Sequence, residues 1–192
     1  MASVRMPRRS AIVIGGARGI GAATAALLAA EGNDVTIVDR ASDDPRLPYA
    51  LASPADLERS VTGARAVATG GEVCGVIADA SDERAMRRVV EGVESRAGAV
   101  DAVVVTAGVI AGGVPVWELP KIELDAILDV DLRAVIIAAR VGIPALLRRP
   151  EPRAGRFVAV ASAAAHRGLP MLSVYGAAKA GVVGFVPGLA AV

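Results

Sequence analysis

Two side chains near the end of the chain have the types and the spacing that proton transfer requires. Tyr175 and Lys179 stand four positions apart, in a chain that has two tyrosines and two lysines in all. In a helix both would lie on one face. An unperturbed phenol has a pKa of about 10 and is a poor base near neutral pH, but an adjacent ammonium favours its phenolate form. The pair therefore indicates a general acid and base, and Ser162 is placed to hold the same reacting oxygen by a hydrogen bond.

A glycine-rich turn near the start of the chain has the context of a dinucleotide site. An apolar strand is predicted over 11–14 and an alanine-rich helix over about 20–30. Glycines let the turn approach a diphosphate closely, and the positive end of the helix attracts the anion. A tight turn with a purely structural role is the alternative. The predicted contacts are Gly15, Ala17, Arg18, Gly19, Ile20 and Gly21.

A second predicted strand, 34–39, ends in an acidic residue. Asp39 lies 18 positions after Gly21, near the separation at which a carboxylate reaches an adenosine ribose. A carboxylate there accepts hydrogen bonds from the ribose hydroxyls and repels a 2′-phosphate, which favours NAD over NADP. Arg18 and Arg40 would weaken that repulsion, and a solvated residue at a strand end is the alternative for Asp39.

Strands and helices alternate along the rest of the chain. This pattern predicts an α/β fold, a doubly wound parallel sheet with right-handed crossovers, in a single domain over 1–192. Ligands of such sheets collect at the carboxyl ends of the strands. Further strands are predicted at 73–78, 100–106 and 156–161, helices after Ser53 and 81–83, a long helical region over 121–147, a turn over 150–155 and a last helix from Ser173. The polar segment 40–52 is a long loop that either folds over a cofactor or runs across the surface.

Composition excludes several classes of function. The formal charge of +1 gives no reason to expect nucleic-acid binding. Cys74 and His166 are the only cysteine and histidine, so neither an internal disulfide nor a clustered zinc site is predicted. No apolar run reaches the length of a membrane span and no signal-peptide pattern is present, so a cytoplasmic protein without a membrane partner is expected.

In combination these motifs resemble the short-chain dehydrogenase/reductase family. The resemblance rests on Gly15-x-x-x-Gly19-x-Gly21, Asp79, Ala107-Gly108, Ser162 and Tyr175-x-x-x-Lys179. It implies a Rossmann-type fold and an NAD-dependent enzyme that interconverts a secondary alcohol and a ketone, or a primary alcohol and an aldehyde, as a homodimer or homotetramer. It also implies that Asp79 and Ala80 lie near the adenine and that Ala107, Gly108, Tyr175 and Lys179 lie along the rest of the cofactor.

The chain departs from the family pattern in four ways, of which the first is Ile14 in place of the usual threonine before the first glycine. The helix asparagine that completes the family's proton relay matches Asp131, and the usual Asn-Asn-Ala-Gly reads Val105-Thr106-Ala107-Gly108. If the relay uses the backbone carbonyl, an aspartate serves equally well. If the carboxylate instead points at Lys179, it changes the local charge. The chain also stops at Val192, so the last strands of the family fold are expected to be missing, with weak NAD binding and low turnover.

A narrower resemblance is to the mycofactocin-coupled subfamily. It rests on the long segment after Asp39 and on the stretches 109–113 and 157–162. It implies NAD held without ready exchange and mycofactocin as the external electron acceptor, and a freely exchanging NAD enzyme is the alternative. Two other readings remain open: a non-catalytic nucleotide-binding or scaffold protein, and a sugar-nucleotide epimerase-type relative, because Gly16-x-x-Gly19-x-x-Ala22 also fits the wider glycine spacing.

Overall fold

Five parallel strands form one sheet in the computed structural model, which describes residues 8–149 and 154–190. Their order across the sheet is β3-β2-β1-β4-β5. The strands are β1 (Ser10–Ile14), β2 (Asp34–Asp39), β3 (Val73–Ile77), β4 (Ala102–Val105) and β5 (Arg156–Ala159). The helices are α1 (Gly19–Ala30), α2 (Pro54–Val67), α3 (Glu83–Ala97), α4 (Lys121–Leu128), α5 (Ala134–Leu147) and α6 (Ser173–Ala190), with a π-helical turn (Asp129–Arg133) and a 3₁₀ turn (Ala163–Ala165).

The sheet is covered by helices on both faces, as the sequence predicts. Successive side chains of β1 point to opposite faces: Ile12 and Ile14 join the core under α3 and α5, whereas Val13 joins the core under α1 and α2. All three side chains are buried, which is why β1 reads as an unbroken apolar run rather than an alternating one. From β1 the chain adds β2 and β3 on one side, and then crosses to add β4 and β5 on the other side of β1. This change of direction places a ligand crevice at the carboxyl ends of β1 and β4.

Local sequence signals set the ends of two helices. Ser53 and Asp56 form a reciprocal capping box at the start of α2, with Pro54 in its first turn. Asp82 caps α3 by accepting from two backbone N–H groups, and Gly98 ends that helix in the left-handed region at a φ of 79°. These boundaries agree with the predictions.

The helical region predicted over 121–147 has these bounds in the structure, but it is not one regular helix. The π-helical turn at Asp129–Arg133 divides it, and α5 then continues past Pro144 to Leu147. The third, fourth and fifth strands end one or two residues earlier than predicted. At the end of β4 the regular pairing stops because the N–H groups of Thr106 and Ala107 both donate to the carbonyl of Ile14. The turn predicted over 150–155 lies largely outside the described residues.

Three features of the described residues bear on the remaining predictions. In residues 8–149 and 154–190 no helix is long and apolar enough to cross a membrane. The same residues contain no group of three or more His, Cys, Asp or Glu side chains that would hold a metal ion. The outer edge of β5 is unpaired in this part of the chain, and Val158 on it is 46% exposed.

Candidate active site

The glycine turn between β1 and α1 is built for close approach of backbone to backbone. Gly15 has a φ of 81°, and its N–H and that of Gly16 donate to the carbonyl of Val38 at 2.8 and 3.0 Å. A Cβ atom at Gly21 would overlap the Gly15 carbonyl oxygen and lie 2.6 Å from Thr106 Oγ1. The start of α1 therefore sits directly on the turn and on the end of β4, with no room for a side chain.

Two hydroxyl groups that sequence reasoning did not assign hold this turn. Thr106 Oγ1 lies 2.9 Å from the carbonyl oxygen of Ile14 and 3.1 Å from that of Gly15, and Ser60 Oγ donates to the carbonyl of Gly16 at 2.7 Å. Thr106 was noted only as a departure from the family pattern. Ser60 lies 44 positions from its partner on a helix face, where no sequence signal marks it.

Replacing Gly21 with alanine is expected to weaken dinucleotide binding about tenfold, because α1 must shift away from the turn to admit the methyl group. Gly63→Ala is the matched control. A Cβ at Gly63, in the interior of α2, meets nothing within 4 Å, so this change should raise helix stability by up to about 1 kcal/mol and leave binding unaltered. NAD titrations and thermal unfolding of both variants make the test, and equal NAD affinity in the two would contradict the packing argument.

A cavity of about 260 Å³ opens at the carboxyl ends of the strands, beside the glycine turn. Most residues predicted to bind the cofactor line it: Gly15, Arg18, Gly19, Asp39, Arg40, Asp79, Ala80, Ala107 and Gly108. The other predicted residues, Ala17, Ile20, Gly21, Tyr175 and Lys179, are not part of this lining. No side chain caps the start of α1, where Arg18 is the N-cap residue, and the first turn of the helix carries no acidic residue, so its own side chains leave the N–H groups of that turn open to an anion.

The Asp39 carboxylate is oriented by backbone groups at the end of β2. Its Oδ2 accepts from the N–H of Ala17 and its Oδ1 from the N–H of Ala41, each at 3.0 Å. Each oxygen keeps a second acceptor position for a ligand hydroxyl. Arg40 lies 2.7 Å from Asp44 and 3.7 Å from Asp79, so two other carboxylates balance its charge.

Asp79 is held at the end of β3 by the segment that follows it. Its Oδ1 accepts from both the N–H and the hydroxyl of Ser81, at 2.8 and 2.7 Å, while Oδ2 faces Arg40. Ala80 and Ser81 line the cavity beside it. Asp79 thus lies at the cavity, and its contact with an adenine stays a prediction.

The long loop 40–52, hereafter the strap, is docked onto the body of the protein. Leu47 is 8% exposed and packs into an apolar cluster with Val109 and Ile127. The hydroxyl of Tyr49 accepts from the N–H of Ile110 at 2.9 Å. Strap residues Arg40, Arg46, Leu51 and Ala52 line the cavity. Of the two alternatives that the sequence left open, the structure shows the loop folded over the site.

Arg46 is the polar anchor of the strap. Its guanidinium pairs with Asp44 at 2.8 Å within the strap and with Asp129 at 2.7 Å on the π-helical turn. The Arg46 guanidinium, more than any other group, holds the pKa of Asp44 far below its usual range, and Arg40 adds to this. The buried Asp44 carboxylate thus stays ionised and fixes both arginines. Sequence reasoning missed this network because its partners are up to 83 positions apart.

Lys179, Tyr175 and Asp131 meet beyond the inner end of the cavity. Lys179 is 4% exposed, and its Nζ lies 3.0 Å from Asp131 Oδ1 and 3.3 Å from the carbonyl oxygen of Val160, to which it donates. The same Nζ lies 5.8 Å from the centre of the Tyr175 ring. Tyr175 and Lys179, predicted from their four-residue spacing, therefore lie on one face of α6. The Lys179 ammonium is fixed by Asp131 on the π-helical turn and by the carbonyl of Val160 after β5.

Asp131 is fully buried, and its carboxylate points at Lys179. Both carboxylate oxygens lie 3.3 Å from the N–H of Val109. Burial raises the pKa of Asp131, while the charge of Lys179 and the hydrogen bonds oppose that rise. The residue sits on the π-helical turn, which re-aims the side chains of this helical region toward α6.

Ser162 is positioned by the 3₁₀ turn that follows β5. Its hydroxyl oxygen accepts from the N–H of Ala164 at 3.2 Å. That turn packs against the start of α6, where a Cβ at Gly176, next to Tyr175, would lie 3.1 Å from the carbonyl oxygen of Ala164. The structure therefore brings the Ser162 turn against the helix turn that carries Tyr175.

Gly108 connects the cavity to this cluster. It lines the cavity, and a Cβ placed on it would lie 2.9 Å from Asp131 Oδ1 and 3.3 Å from Lys179 Nζ. Because Gly108 has no side chain, only its backbone separates this part of the cavity from Asp131 and Lys179. The uncapped helix end, the two carboxylates at strand ends and the glycine beside Lys179 are the kinds of groups that a dinucleotide such as NAD needs. The fold and the site define a doubly wound α/β protein with a cavity at the carboxyl ends of its strands and a tyrosine–lysine pair beyond the inner end of that cavity.

Comparison with known proteins assigns the family. A family model described as short chain dehydrogenase matches residues 9–191. The chain is 34% identical over 185 residues to a 2-dehydro-3-deoxy-L-rhamnonate dehydrogenase (NAD(+)) from Sphingomonas sp. (strain SKA58), and 33% identical over 186 residues to a (-)-trans-carveol dehydrogenase from Rhodococcus erythropolis. These alignments cover 96% and 97% of this chain and 66% of each relative.

A solved structure has the same fold. Carveol dehydrogenase from Mycobacterium avium in complex with NAD superposes with a TM-score of 0.89 at 26% identity, over 97% of this chain and 66% of that one. The protein belongs to the short-chain dehydrogenase family, and its chain spans just under two thirds of the length of these relatives.

Proposed function

We propose that this protein is an NAD-dependent oxidoreductase that interconverts an alcohol and the corresponding ketone or aldehyde. The observation that carries the proposal is the Tyr175–Lys179–Asp131 cluster, which adjoins the dinucleotide cavity through Gly108. Family membership and relatives named as dehydrogenases support the same reaction class.

In the proposed reaction the protein moves a proton and the cofactor accepts or supplies a hydride. NAD would be held by the glycine turn and the start of α1, by Asp39 and Asp79 on the adenosine side, and by Lys179 on the nicotinamide side. Tyr175 removes the hydroxyl proton of the alcohol, or returns it to the carbonyl oxygen in the reverse direction. Ser162 donates a hydrogen bond to that oxygen and holds it in place.

The preference for NAD over NADP is proposed to depend on the charge of Asp39. Asp39→Asn should raise the ratio of NADP affinity to NAD affinity about tenfold, because the change removes the repulsion between a carboxylate and a 2′-phosphate. The Asp39 carboxylate accepts hydrogen bonds from two N–H groups, whereas the single oxygen of an amide can replace only one of them. The two affinities are therefore compared as a ratio, in which a general loss of binding cancels. Asp34→Asn, at the other end of β2, is the control and should leave the ratio unaltered. An unchanged ratio in Asp39→Asn would contradict the assignment.

The proposal has a narrower form, in which the protein retains its cofactor and passes the electrons to mycofactocin. The docked strap supports slow release of NAD, because its residues Arg46 and Leu51 line the cavity and Arg46 ties the strap to Asp129. A cofactor that stays bound needs an external partner to be reoxidised. The homo-oligomeric state and the cytoplasmic location that the family resemblance implies stay predictions.

The proposal is tested by supplying the purified protein with NAD and an alcohol and following nicotinamide fluorescence. Carveol, the alcohol in the name of the R. erythropolis relative, is a suitable first probe. Formation of reduced nicotinamide that depends on the alcohol supports the proposal. The non-catalytic alternative would be supported instead if the protein binds the dinucleotide but no alcohol of a panel reduces NAD and no carbonyl compound of a matching panel oxidises NADH.

A further inference from the structure

The buried ion pair beside Tyr175 has a consequence for the charge of the site. Lys179 and Asp131 are 4% and 0% exposed, and their charged atoms are 3.0 Å apart. At such a distance, with little water between them, the carboxylate cancels most of the field that the ammonium exerts on its other neighbours. The tyrosine therefore faces a pair of zero net charge rather than an isolated cation.

The remaining groups around the pair do not replace that missing positive charge. The N–H of Val109 binds Asp131, and the carbonyl of Val160 binds Lys179, so each charge is also satisfied by a backbone dipole. The titratable and charged groups of the elements packed against α6 and the pair lie on four segments: Arg40, Asp43, Asp44, Arg46 and Tyr49 on the strap, Lys121, Glu123 and Asp125 on α4, Asp129 and Arg133 on the π-helical turn, and His166 and Arg167 after the 3₁₀ turn. Arg46 and Arg133 are both paired with Asp129, Arg40 is paired with Asp44, and Lys121 with Asp125. His166 and Arg167 are exposed, where water and salt screen their charges.

We propose that Asp131 is a positioning residue that neutralises Lys179 and keeps the Tyr175 phenol protonated up to alkaline pH. Its catalytic consequence, which rests on the proposed function, is that Tyr175 acts at neutral pH mainly as a proton donor to a carbonyl oxygen. Removal of a proton from an alcohol then requires a higher pH than it would beside an unpaired lysine.

The chain offers a direct measurement of this effect. Tyr49 and Tyr175 are the only tyrosines in the sequence. In a Tyr49→Phe background the near-ultraviolet absorbance of phenolate therefore reports Tyr175 alone, with no cofactor or substrate present. The titration is independent of turnover, so its failure and a failure of the proposed enzymatic function are distinguishable.

In that background Asp131→Asn is expected to lower the titration midpoint of Tyr175 by about one pH unit or more, because it leaves the buried ammonium uncompensated. Lys179→Met should shift the midpoint upward, because it leaves the carboxylate uncompensated. The double variant should titrate within a few tenths of a unit of the background protein, since both carry no net charge at this position. Asp125→Asn, an exposed carboxylate on α4, is the control and should cause no shift.

This set of single and double variants remains informative if one of them folds poorly. Removing one partner of a buried pair is strongly destabilising, whereas replacing both by neutral groups is often tolerated. Lys179→Met is open to the same loss of stability, so whichever single variant folds is compared with the double variant, and that comparison tests the proposal without the other single variant. Midpoints that do not differ from that of Asp125→Asn, or single variants that shift in the same direction, would overturn it. In the active enzyme the same proposal predicts that Asp131→Asn moves the pH profile of alcohol oxidation to lower pH.

Discussion

Tyr175→Phe is expected to reduce turnover by a factor of about 10² to 10⁴, the usual contribution of a positioned acid or base. The substitution removes the phenol hydroxyl and keeps the ring, which packs against an apolar cluster that includes Val109 and Ala178. Folding and dinucleotide affinity should therefore change little. Reduced nicotinamide formed in a single turnover, measured at equal occupancy by NAD, separates the chemical step from binding.

Ser173→Ala is the matched control for that experiment. It removes a hydroxyl two residues earlier on the same helix, at an exposed position, and should retain turnover to within about twofold. A Tyr175→Phe protein with the turnover of the Ser173→Ala protein would show that the phenol takes no part in the chemistry. Loss of NAD binding in Tyr175→Phe would instead assign the tyrosine to the cofactor site.

Arg46→Met should accelerate release of bound NAD about 10- to 100-fold. The substitution breaks the link from the strap to Asp129 and leaves the buried Asp44 with Arg40 as its only charged partner. A broken buried pair costs about 3–5 kcal/mol, and partial exposure of the arginine together with the remaining Arg40 pair reduces that cost. The release rate follows from the loss of nicotinamide fluorescence when excess NAD displaces bound NADH.

Arg133→Met provides the comparison, because Arg133 also pairs with Asp129 but does so from the π-helical turn, at 3.3 Å and with a side chain that is 69% exposed. Release from this variant should match that from the unmodified protein. If both arginine variants release NADH equally fast, the strap does not control the exit of the cofactor, and the proposed retention of NAD has no structural support.

The parts of the site that the sequence predicted are those with a local signature. Tyr175 and Lys179 are one helical turn apart, and the glycine turn lies between a strand and a helix that are contiguous in the chain, so short-range spacing places them correctly. The parallel sheet with helices on both faces also follows from the alternation of elements. Asp39, Asp79 and Gly108 were predicted at the cavity because the carboxyl ends of parallel strands share one edge of the sheet.

The parts that the sequence did not predict depend on contacts between distant segments. Arg46 meets Asp129 across 83 positions, and Ser60 meets Gly16 across 44. Neither side chain carries a pattern that distinguishes it from a solvated surface residue. The orientation of Asp131 was open for a related reason: it depends on a π-helical turn of five residues inside a helical region that apolar periodicity describes as continuous.

The central claim, hydride transfer between an alcohol and a dinucleotide beside Tyr175, is tested most directly by isotope transfer. The protein is incubated with NAD and an alcohol carrying deuterium on its hydroxyl-bearing carbon, and the recovered nicotinamide is examined by mass spectrometry. We predict one deuterium in the reduced nicotinamide from the unmodified protein, and formation of that labelled product about 10² to 10⁴ times more slowly by Tyr175→Phe. Reduced nicotinamide without deuterium, or labelling at equal rates by the two proteins, would contradict the account.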